Sequence, residues 1–295
     1  MQNDHKIDKK RDINSHAFYT ESNRKAWNAA MPKHQEKMKK DWDHRFLSPG
    51  FFVQKDPELK YLKEVGFEGK DIAHLSCNNG IELMSLKNLG ARKCIGFDIS
   101  DRAIDEAKER VKLTGIECEF IKTDVLEIGD DFYDQFDLIY VTIGALCWIP
   151  SLDRYFEKAA KLLRKGRKVF LYESHPFTDV FPWEDEGENN LKAVNPYFTN
   201  EIYEDDNGID YIGGTTYKSP KSYEFMHTMS DIIMALVKNG INIKLFKEFR
   251  HDISMCKGHL MDEKVSLPMS YILMGEKNDV KKIPKKQEEI NGEKY

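Results

Sequence analysis

The sequence lacks the features that mark several common classes of protein. Its 295 residues include only five cysteines, an odd number with no CxxC pair, so neither a disulfide framework nor a zinc site is predicted. No apolar run approaches the ~18 residues that span a membrane, and the polar N-terminus has no signal-peptide pattern. We therefore expect a reduced, cytoplasmic protein with no membrane partner and no bound metal.

An excess of positive charge is also missing. Lys and Arg number 45 against 50 Asp and Glu, which gives a formal net charge of -5 at pH 7. This balance predicts no general attraction to nucleic acid. Hydrophobic residues make up 40% of the chain, enough for one large domain with insertions or for two small domains. The composition leaves the oligomeric state open between a monomer and a homodimer.

Short apolar strands alternate with helical patterns in the middle of the chain. The predicted strands of this region are 72–77, 93–100, 118–125, 136–144 and 168–176. Such alternation predicts a mostly parallel sheet covered on both faces, in a doubly wound, Rossmann-like α/β fold. Two later apolar segments, 241–249 and 267–277, are expected to complete a seven-stranded sheet.

Other segments depart from this rhythm and divide the chain. Residues 1–50 carry a helical pattern and are predicted to form an N-terminal helical lid. Residues 51–277 are expected to form the main domain, and the aromatic- and acid-rich insert 177–226 within it a substrate cap. The turn signal DDNGID favours β structure inside the insert. The charged segment 278–295 is predicted to be a disordered tail.

The loop after the first predicted strand is poor in glycine. It reads SCNNG, without the GxGxxG that lets a pyrophosphate approach, and no GxxxxGK[ST] occurs in the chain. Asp98 ends the second strand 18 residues after Gly80 and suits ribose hydroxyls, and Asp124 at the third strand can accept from an adenine amine. These strand ends predict a crevice for an adenosine without phosphates. The alternative is that each aspartate caps the helix or turn that follows it.

Residues 70–175 resemble the class I S-adenosylmethionine-dependent methyltransferases. The first motif of that superfamily reads DxGxGxG, and its positions here are His74, Ser76, Asn78 and Gly80, so three of the four differ. HLSCNNGIELMSLKNLGA is more similar to a bacterial subgroup whose loop reads HLQCxxGxxxLSLARLGA, and GFDISDRAIDEA, ESHPF and SLPMSYILMGEK resemble the same group. The resemblance implies S-adenosylmethionine as cofactor, S-adenosylhomocysteine as product, and methyl transfer as the reaction.

The resemblance also implies which residues bind the cofactor. They are Trp27, Ser76, Cys77, Asn78, Gly80, Asp98, Ile99, Asp124, Val125, Thr142 and Ile143. The loop residues would line the methionine part, and Thr142 and Ile143 would face the sulfonium and the acceptor. Trp27 would cover the site from the lid. The alternative for Cys77 is a small packing residue, and for Trp27 a core residue.

An in-line displacement at the methyl group needs a base when the acceptor carries a proton, and histidine is the usual base near neutral pH. His175 ends the fifth predicted strand, and His227 begins the helix after the insert. Glu173 lies two residues before His175 and therefore on the same face of the strand. These three residues are the predicted catalytic group. The alternative is that the histidines join the insert to the sheet by hydrogen bonds.

The aromatic residues of the insert suit a planar or basic small molecule. The predicted function is therefore methyl transfer to a small-molecule acceptor, with nitrogen slightly preferred over oxygen, sulfur or carbon. Two alternatives remain from the sequence. One is a nucleic-acid or protein methyltransferase, and the other is a non-catalytic protein that binds the cofactor or a partner.

Overall fold

The computed structural model describes residues 6–7, 16–210, 216–262 and 264–278. The predicted disordered tail, 278–295, lies outside the described residues except for its first residue. Within the described part there are ten strands and six α-helices. The strands are β1 (Lys6–Ile7), β2 (Asp71–Leu75), β3 (Lys93–Asp98), β4 (Glu119–Lys122), β5 (Phe136–Thr142), β6 (Leu163–Ser174), β7 (Ile202–Asp205), β8 (Ser222–Phe225), β9 (Ile241–Phe249) and β10 (Ser270–Lys277). The helices are α1 (His16–Phe46), α2 (Glu58–Val65), α3 (Ile81–Asn88), α4 (Asp101–Thr114), α5 (Leu152–Leu162) and α6 (Met229–Lys238).

Seven strands form the main sheet, in the order β4-β3-β2-β5-β6-β10-β9. The first five in this order are parallel, and β10 runs antiparallel to both β6 and β9. Every residue of β2 and β5 is buried, which is why both strands are rich in apolar residues. The predicted seven-stranded, mostly parallel sheet is confirmed. The strand order reverses between β2 and β5, and ligands of such sheets bind at the carboxyl ends of the strands there.

Helices cover both faces of the sheet. On one face α5 and α6 pack over the apolar side chains of the central strands. On the other face α2, α3 and α4 form the core, together with Phe46 at the end of α1. The amphipathic pattern of α4 places Ala103, Ile104 and Ala107 inside, as the three- and four-residue spacing predicted.

Helix α1 is a single helix of 31 residues with Pro32 inside it. It begins several residues before the helical pattern that starts near Ser22. Proline has no backbone N–H, so the carbonyl of Asn28 loses its helical partner, yet the helix continues because it packs against α4 and β8. The roles of α1 as a lid and of the insert as a substrate cap stay predictions.

The insert contributes β7 and β8 to a small sheet with β1, in the order β1-β7-β8 and antiparallel throughout. β structure in the insert is thus confirmed. The connection from β7 to β8 spans 206–221 and is far longer than a tight hairpin. The chain stays paired beyond β7, because Tyr217 donates to the Asn207 carbonyl at 2.9 Å and Ser219 to the Asp206 carbonyl at 2.8 Å.

Candidate active site

The β2–α3 loop, residues 76–80, turns sharply at the carboxyl end of β2. Ser76, Asn78 and Gly80 have φ of 58°, 48° and 74°, in the left-handed region that disfavours most side chains. Only glycine fits at position 80, since a Cβ there would lie 2.3 Å from the Phe120 ring. Asparagine tolerates this region better than most residues. The loop therefore makes its turn without the glycines of a dinucleotide motif.

Asp98 fixes this loop against the start of α4. Its Oδ2 accepts from the Asn78 amide at 2.8 Å, and its Oδ1 accepts from the Ser100 amide at 2.8 Å. Burial raises the pKa of Asp98 against the opposing effect of these amides. Each carboxylate oxygen has a second lone pair, so Asp98 retains acceptor sites for a ligand hydroxyl. The half-buried Ile99 follows it at the same sheet edge.

Cys77 does not face the crevice with its side chain. The residue is buried, and its amide donates to the Phe97 carbonyl at 3.0 Å. Its thiol fills the space beside Gly96, where a Cβ would lie 2.7 Å from the sulfur. The structure favours the alternative for the Cys77 side chain, a small packing residue, because the turn directs it into the core. Contact of residue 77 with the cofactor stays a prediction. Burial raises the pKa of this thiol, so it is a packing residue.

Asn78 has a feature that its neighbours lack. Its side-chain Oδ1 is buried and has no hydrogen-bond partner among the described residues. An unmade hydrogen bond at a buried acceptor costs about 1–3 kcal/mol. A donor from a ligand at the loop would relieve that cost.

Arg110 also stabilises the loop, through its bond to the Asn79 carbonyl. The sequence analysis did not identify this residue. This residue is wholly buried, and its guanidinium donates to the Asn79 carbonyl at 2.9 Å, to Glu106 at 2.5 Å and to Asp43 of α1 at 2.9 Å. It thus joins the loop, α4 and α1. The spacing of Glu106 and Arg110 on α4 was the available signal, but such pairs are usually solvated.

Asp124 lies at the end of β4 and is shared with α1. Its Oδ2 contacts His16 Nε2 at 2.8 Å, and its Oδ1 accepts from the Leu126 amide at 2.9 Å. Burial raises its pKa, but these hydrogen bonds outweigh burial and the net shift is downward. Val125 beside it is buried. His16 is a site residue that the sequence did not identify, because it lies 108 positions from its partner.

Trp27 and Asn28 bring α1 over the end of β3. Trp27 is half-buried and meets Trp148 edge to face, with ring centroids 5.4 Å apart. The Asn28 amide group accepts from the Ser100 hydroxyl at 2.8 Å and donates to Asp101 at 2.7 Å. The structure therefore places Trp27 beside the crevice, as predicted, with an aromatic partner from the loop after β5.

Thr142 and Ile143 mark the carboxyl end of β5. The Thr142 hydroxyl lies 2.9 Å from His74 Nε2 beneath it. His74 is wholly buried, and burial lowers the pKa of its imidazole to about 3, so the ring is neutral. Ile143 is 41% exposed despite its apolar side chain. Gly144 next to it borders open space, since a Cβ there would meet nothing within 4 Å.

Glu173 holds the β5–α5 loop, residues 143–151. Its carboxylate accepts from the amides of Gly144 at 2.6 Å, Ala145 at 2.8 Å and Leu146 at 3.2 Å. Burial raises the pKa of Glu173 to about 7, against the effect of these amides. The carboxylate of Glu173 thus turns to this loop, and its predicted place in the catalytic group stays a prediction.

His175 and His227 act as structural links. His175 Nδ1 accepts from the Phe177 amide at 3.1 Å, and its Nε2 contacts Glu248 at 3.1 Å. Burial lowers the pKa of His175, although Glu248 opposes the shift. His227 Nε2 lies 2.8 Å from the Ile149 carbonyl and the residue is buried. Both bonds join the insert to the sheet or to the β5–α5 loop, so the structure favours the alternative to a catalytic base.

These positions define a crevice at the carboxyl edge of the sheet, with acidic groups at two strand ends and a left-handed turn at a third. Residues 72–166 match the family model described as a methyltransferase domain. The chain is 32% identical over 106 residues to the tRNA U34 carboxymethyltransferase of Campylobacter hominis, over 35% of this chain and 36% of that protein. It is 31% identical over 112 residues to the ribosomal protein L11 methyltransferase of Thermosipho africanus, over 38% of this chain and 40% of that protein. The chain spans less than half the length of these curated relatives.

A solved structure shares the fold. A candidate S-adenosylmethionine-dependent methyltransferase of Listeria monocytogenes superposes with a TM-score of 0.56 at 21% identity, over 75% of this chain and 97% of that one. The predicted Rossmann-like methyltransferase fold is confirmed. The family match covers residues 72–166 of the chain, and the likeness to the solved structure shows the fold. Membership of the HLxCxxG bacterial subgroup stays a prediction.

Among residues 16–210, 216–262 and 264–278, no three or more His, Cys, Asp or Glu side chains are grouped to hold a metal ion. In the same part of the chain, no helix has the length and apolar character to cross a bilayer.

Proposed function

We propose that this protein transfers a methyl group from S-adenosylmethionine to a small-molecule acceptor. The observation that carries the proposal is the position of Asp98. Its carboxylate joins the β2–α3 loop to α4 through two backbone amides, at the sheet edge where the strand order reverses. The spare lone pairs of this carboxylate suit the two ribose hydroxyls of an adenosine.

The other residues of the crevice fit the same cofactor. The unpartnered Oδ1 of Asn78 suits the ammonium group of the methionine part. Asp124 keeps lone pairs for an adenine amine beside its bonds to His16 and Leu126. Val125 offers an apolar contact for the adenine ring, and Thr142 and Ile143 face the end where methyl transfer would occur.

When bound, S-adenosylmethionine supplies a methyl group that is already activated by the positive sulfur. The task of this chain is then to orient the acceptor and to exclude water. Trp27 and His16 of α1 cover the crevice through their contacts with Trp148 and Asp124. His74 fixes the Thr142 hydroxyl, and Glu173 fixes the loop that follows it.

A small-molecule acceptor is favoured by the covered shape of the site and by the net charge of -5. The small sheet packs against the β5–α5 loop, and α1 packs against both α4 and β8. A site bordered by these elements suits a small acceptor better than a macromolecule, and nitrogen remains the preferred atom. We expect the protein to act in the cytoplasm, as a monomer or a homodimer.

The first experiment is calorimetric binding of S-adenosylmethionine and S-adenosylhomocysteine to the purified chain and to Asp98→Ala. Loss of two charge-assisted contacts with ribose is expected to weaken binding by about a hundredfold or more. Asp105→Ala, an exposed carboxylate of α4, serves as the matched control and keeps wild-type affinity. Absence of binding to the folded wild-type chain would overturn the proposal.

The acceptor class needs a separate experiment. Radiolabelled methyl transfer is followed with three acceptor fractions: an ultrafiltrate of a cell extract, purified tRNA and ribosomal protein. Label is expected in the ultrafiltrate. Label in the tRNA or in the ribosomal protein would contradict the small-molecule proposal. It would instead favour an activity like that of the tRNA or ribosomal protein methyltransferases to which the chain is similar.

A further inference from the structure

The small sheet directs two polar side chains away from α1. Tyr203 of β7 lies opposite Glu224 of β8 in the antiparallel register, so the two side chains share one face. The other face carries Tyr223 and Phe225, which pack edge to face on Tyr19 with centroids 5.1 and 5.2 Å away. Because side chains alternate along a strand, Tyr203 and Glu224 point to the opposite side of the sheet.

Glu224 is a half-buried carboxyl group without an internal partner. Within the described residues its carboxylate makes no hydrogen bond and no ion pair. The opposite charge that acts on it, Lys257, is already engaged. Its ammonium bonds to Asp179 and, at 2.9 Å, to the Thr178 hydroxyl, and it lies 4.1 Å from the centre of the Trp183 ring. The carboxyl group of Glu224 is therefore left with free acceptor sites for a cationic ligand.

Tyr203 has a matching property. Its phenol oxygen is buried and has no hydrogen-bond partner among the described residues. Burial raises the pKa of Tyr203, and the charges of Glu201 and Asp179 add to this effect. Asp179 also raises the pKa of Glu224, so it lies near both groups. Two unpartnered polar groups, a carboxylate and a phenol, therefore lie on the same face beside the same aspartate. A buried unpartnered polar atom such as the Tyr203 hydroxyl is rare in folded proteins and calls for an explanation.

This face lies next to the end of the crevice where methyl transfer is proposed. Strand β8 packs against the turn Leu146–Trp148 of the β5–α5 loop. The Cys147 thiol in that turn lies within the field of Glu224 and Glu173. Earlier in the same loop, Gly144 borders open space. The carboxylate of Glu224 and the end of β5 are thus two sides of one region.

We propose that Glu224 and Tyr203 bind the protonated nitrogen of an amine acceptor, between the small sheet and the β5–α5 loop. This inference rests on the proposed methyltransferase function and narrows its acceptor to an amine. The carboxylate accepts an N–H bond from the ammonium group, and the phenol oxygen accepts a second one. Trp148 and Trp183 supply aromatic surface for the organic part of such an acceptor.

The same carboxylate suits the proton transfer that amine methylation needs. Burial raises the pKa of Glu224 to about 7, the charges of Asp179 and Asp205 act in the same direction, and Lys257 opposes them. The cysteines 147 and 256 are the other titratable groups in its field. For methyl transfer, the ammonium group of the acceptor first gives a proton to the Glu224 carboxylate. The freed nitrogen lone pair then forms the bond to the methyl carbon. The carbon–sulfur bond breaks at the same time, and its electron pair stays on sulfur. The products are a methylated ammonium and a neutral thioether.

The test is calorimetric binding of amines to the chain saturated with S-adenosylhomocysteine. The probes are ethylamine, phenethylamine and tryptamine, and each is compared with its alcohol: ethanol, phenylethanol and tryptophol. The wild-type chain is expected to bind at least one amine about tenfold more tightly than its alcohol, because a charge-assisted contact replaces a neutral one. Glu224→Gln is expected to remove this preference. Glu204→Gln keeps it, because Glu204 lies on the other face of the same sheet and pairs with Lys221.

Binding of S-adenosylhomocysteine alone distinguishes failure of the proposed methyltransferase function from failure of the proposed amine site. If that ligand fails to bind the wild-type chain, the proposed function fails. If it binds but no amine exceeds its alcohol, or if Glu224→Gln retains the preference, the amine site is overturned and the methyltransferase proposal stands. Unchanged affinity of Glu224→Gln for S-adenosylhomocysteine shows that this variant is folded.

Discussion

The two sides of the crevice differ in how completely their polar groups are partnered. On the sheet side, the carboxylate of Asp98 is bonded to two amides, and the guanidinium of Arg110 has three acceptors. On the side of the small sheet, the buried Tyr203 hydroxyl has no hydrogen-bond partner among the described residues, and the half-buried Glu224 opposite it makes none there either. Both sides contain buried polar groups; on the sheet side most of those described above are satisfied within the fold, and the Oδ1 of Asn78 is the exception.

This difference separates groups that hold a shape from groups that meet a ligand. A group with internal partners contributes to stability whether or not a ligand is present. A covered group without partners destabilises the free protein and recovers that free energy on binding. By this criterion the bonds of Asp98 and Arg110 preform the sheet side, and we propose that Asn78 and Tyr203 are the groups that recover free energy when a ligand binds.

Replacement of Arg110 tests the partnered side most severely. Arg110→Met removes a buried cation and leaves Glu106 and Asp43 facing each other without it. We expect a loss of about 3–5 kcal/mol in the free energy of unfolding, measured by urea denaturation. Arg24→Met is the control, because the Arg24–Asp101 pair is partly exposed and its loss costs about 0–1 kcal/mol. Equal effects of the two variants would contradict the assignment of Arg110.

Gly80 tests whether the β2–α3 loop depends on close approach. Gly80→Ala adds a Cβ that would meet the Phe120 ring at a residue with φ of 74°. Overpacking and backbone strain together are expected to cost about 2–4 kcal/mol. Gly115→Ala is the matched control, since its φ is 71° but nothing lies within 4 Å of the added atom. That control should lose only about 1 kcal/mol. Thermal denaturation of both variants gives the comparison.

Glu58, unlike the groups with several partners, is expected to make the free energy of unfolding depend on pH. It is buried under the sheet with a hydrogen bond from Tyr140. Burial raises its pKa to about 8 from 4.5, with a further upward effect of Glu82 and an opposing one from Tyr140. The unfolded chain therefore ionises first, so the stability from the protonated form is complete below pH 4.5 and is lost as the pH rises through about 8.

Glu58→Gln is expected to remove this part of the pH dependence. Between pH ~6 and ~8 the wild-type chain should lose about 1–2 kcal/mol more of its free energy of unfolding than the variant does. Urea denaturation across this window measures the difference. Glu64→Gln, at an exposed position of the same helix, should follow the wild-type curve. Parallel curves for wild type and Glu58→Gln would contradict the prediction.

His16 tests the contact between α1 and the sheet side, where the smallest effect is expected. His16→Ala removes the bond to Asp124 at 2.8 Å, at a cost of about 1 kcal/mol. Amide hydrogen exchange should become faster in the first turns of α1 and stay unchanged in α4. Uniform acceleration in both helices would show that the pair acts on global stability and does not hold α1 locally.

Periodicity and strand ends made the fold and the cofactor edge predictable from the sequence. The buried strands β2 and β5 read as apolar runs, and Asp98 and Asp124 follow from their places at strand ends. Such patterns do not predict which hydrogen-bond partners a side chain takes. The position of His175 at a strand end indicated the correct edge of the sheet, but only the structure shows that its two nitrogens are taken by Phe177 and Glu248.

Other residues were missed because their partners are distant in sequence. The His16–Asp124 pair spans 108 positions and the contact of Arg110 with Asp43 spans 67. Helix α1 gave a broken pattern around Pro32, because its stability comes from packing on α4 and β8 and not from its own sequence. Glu224 likewise lacks a partner because Lys257 bonds to Thr178 and Asp179 instead, and the sequence does not show this.

The burial of Cys77 under the β2–α3 loop gives the chain a built-in chemical reporter. An alkylating reagent reaches this thiol only when the loop opens, because Gly96 and Phe120 enclose the sulfur. Cys256 is exposed and reacts without any opening, which provides an internal standard in the same molecule. The ratio of the two labelling rates therefore measures how often the loop opens, and any ligand that braces the loop will slow the first rate while the second stays constant.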